Sequence, residues 1–165
     1  MVRKLLRPSD LTVIVDTREQ TPFDMKQFGF KSEVGTLKTG DYSIKGLETD
    51  LVVERKSLSD FLGCVGKGRP RFERELNRMK EFKAKAVVVS SSESEIEEGM
   101  WHYSKLTPKQ VIGSYTGWMT WGIPFIFARD HCQASKRAAH FLWLFSRRHM
   151  SLEECQMAEK GKSGS

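Results

Sequence analysis

The chain has 165 residues, enough for one compact core and too few for two ordinary domains. Lysine and arginine exceed aspartate and glutamate by 27 to 21, a modest excess that favours a polyanionic partner. The three cysteines lack a C-x-x-C spacing, the four histidines are scattered, and there is neither a membrane-length apolar run nor a Walker-type loop. We therefore expect a cytoplasmic or nuclear protein that is not secreted, with no membrane contact and no nucleotide cofactor.

The first predicted strand covers residues 12–15, an apolar and β-branched run that ends at Asp16. The Asp16 side chain would emerge at the carboxyl end of this strand, where α/β folds commonly place their sites. The polar residues Arg18, Glu19 and Gln20 follow directly. Arg18 could clamp a phosphate through two parallel hydrogen bonds.

Two further strands are predicted to form a hairpin. Residues 42–45 and residues 51–56 supply the strands, and the segment between them has the composition of a turn. Because alternate residues of a strand share one face, Glu54 and Lys56 would project together. The turn would also return Asp41 towards Glu54.

Acidic side chains and one lysine at these positions fit a metal-dependent hydrolase. Mg²⁺ and Mn²⁺ prefer oxygen ligands and keep several waters that substrate can replace. A bound cation would polarise a phosphodiester and lower the pKa of a bound water, while Lys56 would position that water or offset charge on the phosphorane. We expect Asp16, Asp41 and Glu54 to bind Mg²⁺, for which Mn²⁺ would substitute.

The segment between Asp16 and Asp60 resembles a known family, the XPF-type structure-specific endonucleases, a branch of the PD-(D/E)xK nucleases. The family motif G-D-x(n)-E-R-K-x(3)-D is matched in chain order by Gly40, Asp41, Glu54, Arg55, Lys56 and Asp60. The earlier D-x-R-E element of the family is matched by Asp16, Arg18 and Glu19. Both signatures are present without substitution, and the resemblance covers about residues 10–150.

This resemblance implies a restriction-endonuclease-like α/β fold, in which helices flank a mixed central sheet. The implied catalytic residues are Asp16, Asp41, Glu54 and Lys56, the three acids being metal ligands. The implied supporting residues are Arg18, Glu19, Arg55 and Asp60. Asp60 has an alternative interpretation as a favourable acid in the first turn of a helix that Ser57 caps.

A basic helix is predicted after the motif. Apolar residues recur at helical spacing from Phe72 to Phe82, so one face would pack on the core and the other would be largely cationic. The alternative is a solvated face in which glutamates interrupt the cations. Residues 66–71 are predicted to form a DNA-contacting loop, because two glycines allow close approach to a phosphate backbone. The predicted DNA-binding residues are Arg18, Gln20, Lys67, Arg69 and Arg71.

The rest of the chain is predicted to form a scaffold. Strands are expected over residues 84–89 and 124–127, and helices over residues 108–121 and 131–149. Residues 90–105 are expected to form a loop or a short helix start. Within it, Trp101, His102 and Tyr103 would either stack on an unpaired base or anchor the loop to the fold.

The last long helix has more apolar residues than one stripe requires. Trp143 and Leu144 lie off the stripe that contains Ala138, Leu142 and Phe145, so a second face would also be covered. A homodimer interface would explain this, since XPF-type nuclease domains commonly dimerise through this part of the fold. The alternative is a broad core helix.

We expect one nuclease domain over residues 1–150 and a polar, disordered tail over residues 151–165. The helix-hairpin-helix modules of better-known family members have no counterpart after Ser151, so we expect a standalone nuclease or part of a longer protein. The predicted function is metal-dependent cleavage of branched or junction DNA in repair or recombination. The alternative is a non-catalytic DNA-binding subunit, although the intact Asp41, Glu54 and Lys56 favour the enzyme.

Overall fold

The computed structural model describes residues 4–161. The strands within this range are β1 (Thr12–Asp16), β2 (Lys31–Gly35), β3 (Tyr42–Ile44), β4 (Leu51–Ser57), β5 (Ala84–Ser90) and β6 (Phe125–Phe127). The helices are α1 (Leu58–Val65), α2 (Arg69–Met79), α3 (Glu93–Glu98), α4 (Pro108–Met119), α5 (His131–His149) and α6 (Leu152–Lys160). Two short 3₁₀ helices cover Pro8–Asp10 and Met25–Phe28.

The strands form one mixed sheet in the order β2-β1-β3-β4-β5-β6. The pairs on either side of β3 are antiparallel, and the other pairs are parallel. This confirms the predicted α/β class with a mixed sheet flanked by helices, and it also confirms the hairpin of β3 and β4. Among the described residues, no helix is both long and apolar enough to cross a membrane.

The sheet has a hydrophobic core on each face because its central strands are apolar on both sides. Val53 and Val88 pack on the face that α5 covers, whereas Val52 and Val87 pack on the opposite face against α1, α2 and α4. Near-continuous valine runs of this kind are typical of strands buried on both faces. The end of the sheet at which β1 and β4 finish therefore lies between two hydrophobic layers.

Strand β2 was not predicted, because its sequence lacks a strong apolar pattern. Strand β2 is an edge strand paired only with β1 in the sheet, and its Val34 is 70% exposed. Helix α3 lies in the segment expected to be a loop or short helix start, and Ser92 and Glu95 form a capping box at its beginning. Trp101 donates a hydrogen bond from Nε1 to the Leu106 carbonyl, which favours the anchoring role for this residue.

The expectation of a disordered tail is wrong for residues 152–160, which form α6. Ser151 and Glu154 form a capping box at the start of this helix, and Cys155 is buried. Glu159 near its end pairs with the buried Lys45, at 3.2 Å between Oε2 and Nζ. The last tail residues, 162–165, lie outside the described residues, and the domain division at residue 150 stays a prediction.

Candidate active site

Gly40 sets the position of Asp41. Gly40 has φ +80°, and a Cβ atom there would lie 2.0 Å from Cγ2 of Val52, so only glycine fits. Asp41 connects β4 and β1 through its main chain. Its amide donates to the Val53 carbonyl at 2.9 Å, and its carbonyl accepts from the Asp16 amide at 2.8 Å. The Asp41 carboxylate is thereby fixed beside β4.

Asp41, Glu54 and Lys56 line one cavity of about 530 Å³ at the end of β4. The expected return of Asp41 towards Glu54 is confirmed, since Asp41 in the turn before β3 and Glu54 in β4 line the same cavity. An adjoining pocket of about 180 Å³ shares these three residues and extends over the turn after β1.

Glu54 and Lys56 form a buried ion pair, with 3.0 Å between Oε1 and Nζ. The Lys56 ammonium also lies 5.4 Å from the centre of the Phe72 ring. Burial lowers the pKa of Lys56, but the Glu54 carboxylate outweighs this effect, and the pKa is raised above its usual value. Lys56 is therefore an ammonium donor at neutral pH.

Two of the carboxyl groups that line the cavity, those of Asp41 and Glu54, have raised pKa values. Burial is the main cause for Asp41, whose pKa rises to about 6, and the Glu19 charge adds to it, although a hydrogen bond of 2.8 Å from the Arg55 amide opposes the rise. Burial also raises the pKa of Glu54, followed by the charges of Asp41 and Glu75. Two acids in this environment favour a nearby cation.

The donor set of the cavity fits a magnesium ion held partly by water. Among residues 4–161, no group of three or more His, Cys, Asp or Glu side chains is arranged to hold a metal ion. Mg²⁺, however, is commonly bound through one or two carboxylates, with waters and substrate phosphate completing the shell. Asp41 and Glu54 can supply these two carboxylates.

Asp16 lies behind the cavity rather than in its wall. Its Oδ1 accepts from Nε of Arg18 at 2.7 Å, and its Oδ2 accepts from the Leu37 amide at 2.7 Å. Both oxygens are thus occupied, and burial, which would raise the pKa of Asp16, is outweighed by these donors, so the pKa is lowered. This position does not support the expected metal ligation by Asp16; it orients Arg18, whose side chain is 67% exposed at the cavity rim.

Glu19 and Arg55 form a second buried ion pair, beside Asp41. Nε and Nη2 of Arg55 donate to the two oxygens of Glu19 at 2.9 and 2.8 Å. Burial raises the pKa of Glu19, but the guanidinium outweighs it, and the pKa is lowered. Glu19 therefore holds Arg55, and the backbone amide of Arg55 in turn holds Asp41.

The structure separates the remaining predicted residues into two groups. Asp60, Lys67 and Arg71 line the main cavity, and Gln20 lines the adjoining pocket. The amide of Asp60 binds Oγ of Ser57 at 3.1 Å, so the predicted cap is present and Asp60 serves the first turn of α1 while facing the cavity.

Arg69 is placed away from the cavity. The predicted loop ends at Gly68, because Arg69 and Pro70 begin α2, where proline is favoured in the first turn. The Arg69 guanidinium packs on Trp118 and donates to Ser114 Oγ at 2.8 Å. The expectation that Arg69 contacts DNA from a loop is therefore not supported.

The sequence analysis did not predict several residues of the main cavity. Among them are Lys38, Cys64, Glu75 and Arg78. Arg71, Glu75 and Arg78 are spaced as i, i+4 and i+7 along α2, so they share one helix face. This spacing was a usable signal, but the alternating charges also matched a solvated surface.

Comparison with known proteins agrees with this fold. A model of the ERCC4 domain family matches residues 15–141. The solved structure of XPF from Aeropyrum pernix is similar at a TM-score of 0.67 and 19% identity, over 83% of this chain and 66% of that one. XPF from Aeropyrum pernix in complex with DNA gives a TM-score of 0.66 and 18% identity, over 86% of this chain and 68% of that one. No curated protein sequence matched significantly.

These matches differ in what they establish. The structural likeness, at less than a fifth identity, shows the fold, and this chain spans just under two thirds of the first solved chain. The family match covers most of the chain and includes every residue of both signatures. The chain therefore belongs to the ERCC4 domain family, a family of DNA nucleases.

Proposed function

We propose that this protein is a Mg²⁺-dependent DNA endonuclease that hydrolyses phosphodiester bonds in branched or single-strand/duplex junction DNA. The observation that carries the proposal is the joint placement of Asp41, Glu54 and Lys56 in one cavity. The DNA complex of the archaeal XPF, whose fold this chain shares, supports DNA as the ligand.

The charges around the cavity favour a phosphate backbone. Asp41 and Glu54 line the cavity, and besides Lys56 five cationic residues line it, namely Arg18, Lys38, Lys67, Arg71 and Arg78. Cations that surround an acidic centre would neutralise the phosphates on either side of the one that reacts. The Arg18 guanidinium is already oriented by Asp16, so it would bind phosphate with little further loss of side-chain freedom.

The chain's own residues have distinct roles in the proposed reaction. Asp41 and Glu54 would hold the metal ion, which when bound polarises the phosphodiester and lowers the pKa of a coordinated water. Lys56 stays protonated beside Glu54, so it would stabilise negative charge on the phosphorane instead of removing a proton from water. Glu19 and Arg55 would keep Asp41 in place.

A homodimer belongs to the same proposal. An apolar cavity of about 280 Å³ lies beside α5 and is lined by Phe28, Phe30 and Trp143, and Leu144 is 39% exposed. Part of the predicted second face is already used within the chain, because Trp143 donates from Nε1 to the Leu6 carbonyl. Sedimentation analysis tests the dimer, and a monomeric mass at micromolar concentration would rule it out.

A branched DNA substrate would imply a role in DNA repair or recombination, in the cytoplasm or nucleus.

Cleavage of a labelled DNA panel tests the enzymatic proposal. Flap, fork, four-way junction, duplex and single-stranded substrates are incubated with Mg²⁺, Mn²⁺ or EDTA, using wild type, Asp41→Ala and Lys56→Ala. We expect metal-dependent cleavage of the branched substrates that both substitutions abolish. Glu81→Gln, which changes an exposed carboxylate outside the cavity, should cleave as wild type does.

The second candidate function is a DNA-binding subunit without catalysis. One observation favours it: among residues 4–161 no three metal-binding side chains converge. Binding of branched DNA by a folded protein that cleaves in no metal condition would support this candidate over the enzyme.

A further inference from the structure

We propose that Glu75 is a third carboxylate of the site and a positioning residue, which holds water coordinated to the metal that Asp41 and Glu54 bind. This inference rests on the proposed function. Glu75 lies outside both sequence signatures, 15 residues after Asp60 and on a different helix.

The position of Glu75 supports this role. Its half-buried side chain lines the main cavity together with Glu54. Lys56 lines the same cavity, so Glu75 shares the cavity wall with both members of the central ion pair. Glu75 therefore reaches the cavity from α2, whereas Asp41 reaches it from the turn before β3.

The two glutamates at the centre of α2 face opposite ways. Glu73 accepts from Nε of Arg69 at 3.1 Å and from Nε1 of Trp118 at 3.1 Å, on the side away from the cavity. Glu75 shares the cavity face with Arg71 and Arg78, yet neither arginine lies within ion-pair distance of it in the described part of the chain.

Several carboxylates in one partly buried cavity repel each other unless a cation lies nearby. Asp41, Glu54, Asp60 and Glu75 all line the cavity, and among the described residues the pair of Lys56 with Glu54 is the only salt bridge between a cation and an acid that both line it. A divalent ion would add positive charge beside these acids, and its coordinated waters would supply donors for carboxylate oxygens. The chemistry of the cavity thus matches a hydrated ion better than a bare one.

Glu75 would act through water because the three acids do not converge on one point. Mg²⁺ usually keeps several waters in protein sites, and outer-sphere acceptors orient these waters. Substitution of such partners typically costs about 10- to 100-fold in metal affinity or activity. The same role places Glu75 where it can orient the attacking water.

Metal titration of matched variants tests this role independently of cleavage. Wild type, Glu75→Gln and Glu73→Gln are titrated with Mn²⁺ and Mg²⁺ without DNA, using isothermal calorimetry and thermal unfolding. We expect Glu75→Gln to bind metal about 10-fold more weakly or worse, because the amide has lost the charge, and Glu73→Gln to bind as wild type does. Glu75→Asp should retain part of the affinity, which also covers the case in which Glu75→Gln does not fold.

The outcomes separate this inference from the proposed function. Metal binding by Glu75→Gln within about twofold of wild type would overturn the role of Glu75, and so would equal weakening in Glu73→Gln. If wild type neither binds metal nor cleaves, the proposed function fails. If wild type does both and Glu75→Gln matches it, only the inference fails.

Discussion

Replacing Asp41 with asparagine should stabilise the metal-free protein while removing its response to metal. The pKa of Asp41 rises from its usual 3.8 to about 6 because the group is buried and lies near Glu19, so ionisation is less favourable in the folded state. This rise corresponds to at most about 3 kcal/mol at pH 7. Asparagine removes the charge and can still accept the hydrogen bond from the Arg55 amide.

We expect Asp41→Asn to raise the free energy of unfolding at pH 7 by about 1–3 kcal/mol in EDTA. The sign of the pH dependence follows from a raised acidic pKa. The destabilisation by Asp41 is absent below its unfolded pKa, develops between 3.8 and about 6, and is complete above that range. The advantage of the variant should therefore disappear as the pH falls from 7 to 4.

Urea denaturation at pH 7 and pH 4.5, with EDTA or Mg²⁺, measures both effects. Mg²⁺ should stabilise wild type by mass action and leave Asp41→Asn almost unchanged. Glu81→Gln serves as the control, since it removes an exposed charge outside the cavity. A variant less stable than wild type in EDTA at pH 7, or a stability difference that is independent of pH, would refute the reasoning.

Three further substitutions test the supports of the site. Gly40→Ala should lower the free energy of unfolding by about 2–3 kcal/mol in urea melts, because residue 40 has φ +80° and its new Cβ would lie 2.0 Å from a methyl group of Val52. Wild-type stability of this variant would contradict the close approach of Gly40 to Val52. Glu19→Gln leaves the buried Arg55 without its anion, so we expect a loss of about 3 kcal/mol and weaker cleavage, and an unchanged melting temperature would argue against this support. Glu159→Gln should cost less than about 1 kcal/mol at pH 7, since the side chain is 38% exposed. The pKa of Glu159 is lowered by Thr12 and Lys45, so this difference should vanish as the pH falls through that lowered value, and a constant difference in pH-dependent melts would contradict it.

The centre of the site could be predicted because its signals are local. Asp41 directly precedes β3, Glu54 and Lys56 follow the apolar run of β4, and the alternation of side chains predicts that Glu54 and Lys56 face together. The direction of each side chain was harder to predict. Asp16 follows a strand end as expected, yet two donors turn its carboxylate away from the cavity.

Residues on helices were less predictable, because charge patterns do not reveal which face packs where. Glu73 and Glu75 look equivalent in the sequence, and only the packing of α2 separates them. Arg69 was misplaced because the start of α2 was expected later, although Pro70 favours an early start. Helix α6 escaped prediction since it buries few residues and depends on contacts such as that between Glu159 and Lys45.

Arg55 contributes to the site through two separable parts of one residue. Its main-chain amide holds Asp41 and its guanidinium holds Glu19. Every amino acid except proline retains the amide, so a mutational scan of position 55 would report almost entirely on the guanidinium. Among all substitutions at this position, only the effect of proline, compared with that of alanine, would measure what the main chain does for Asp41.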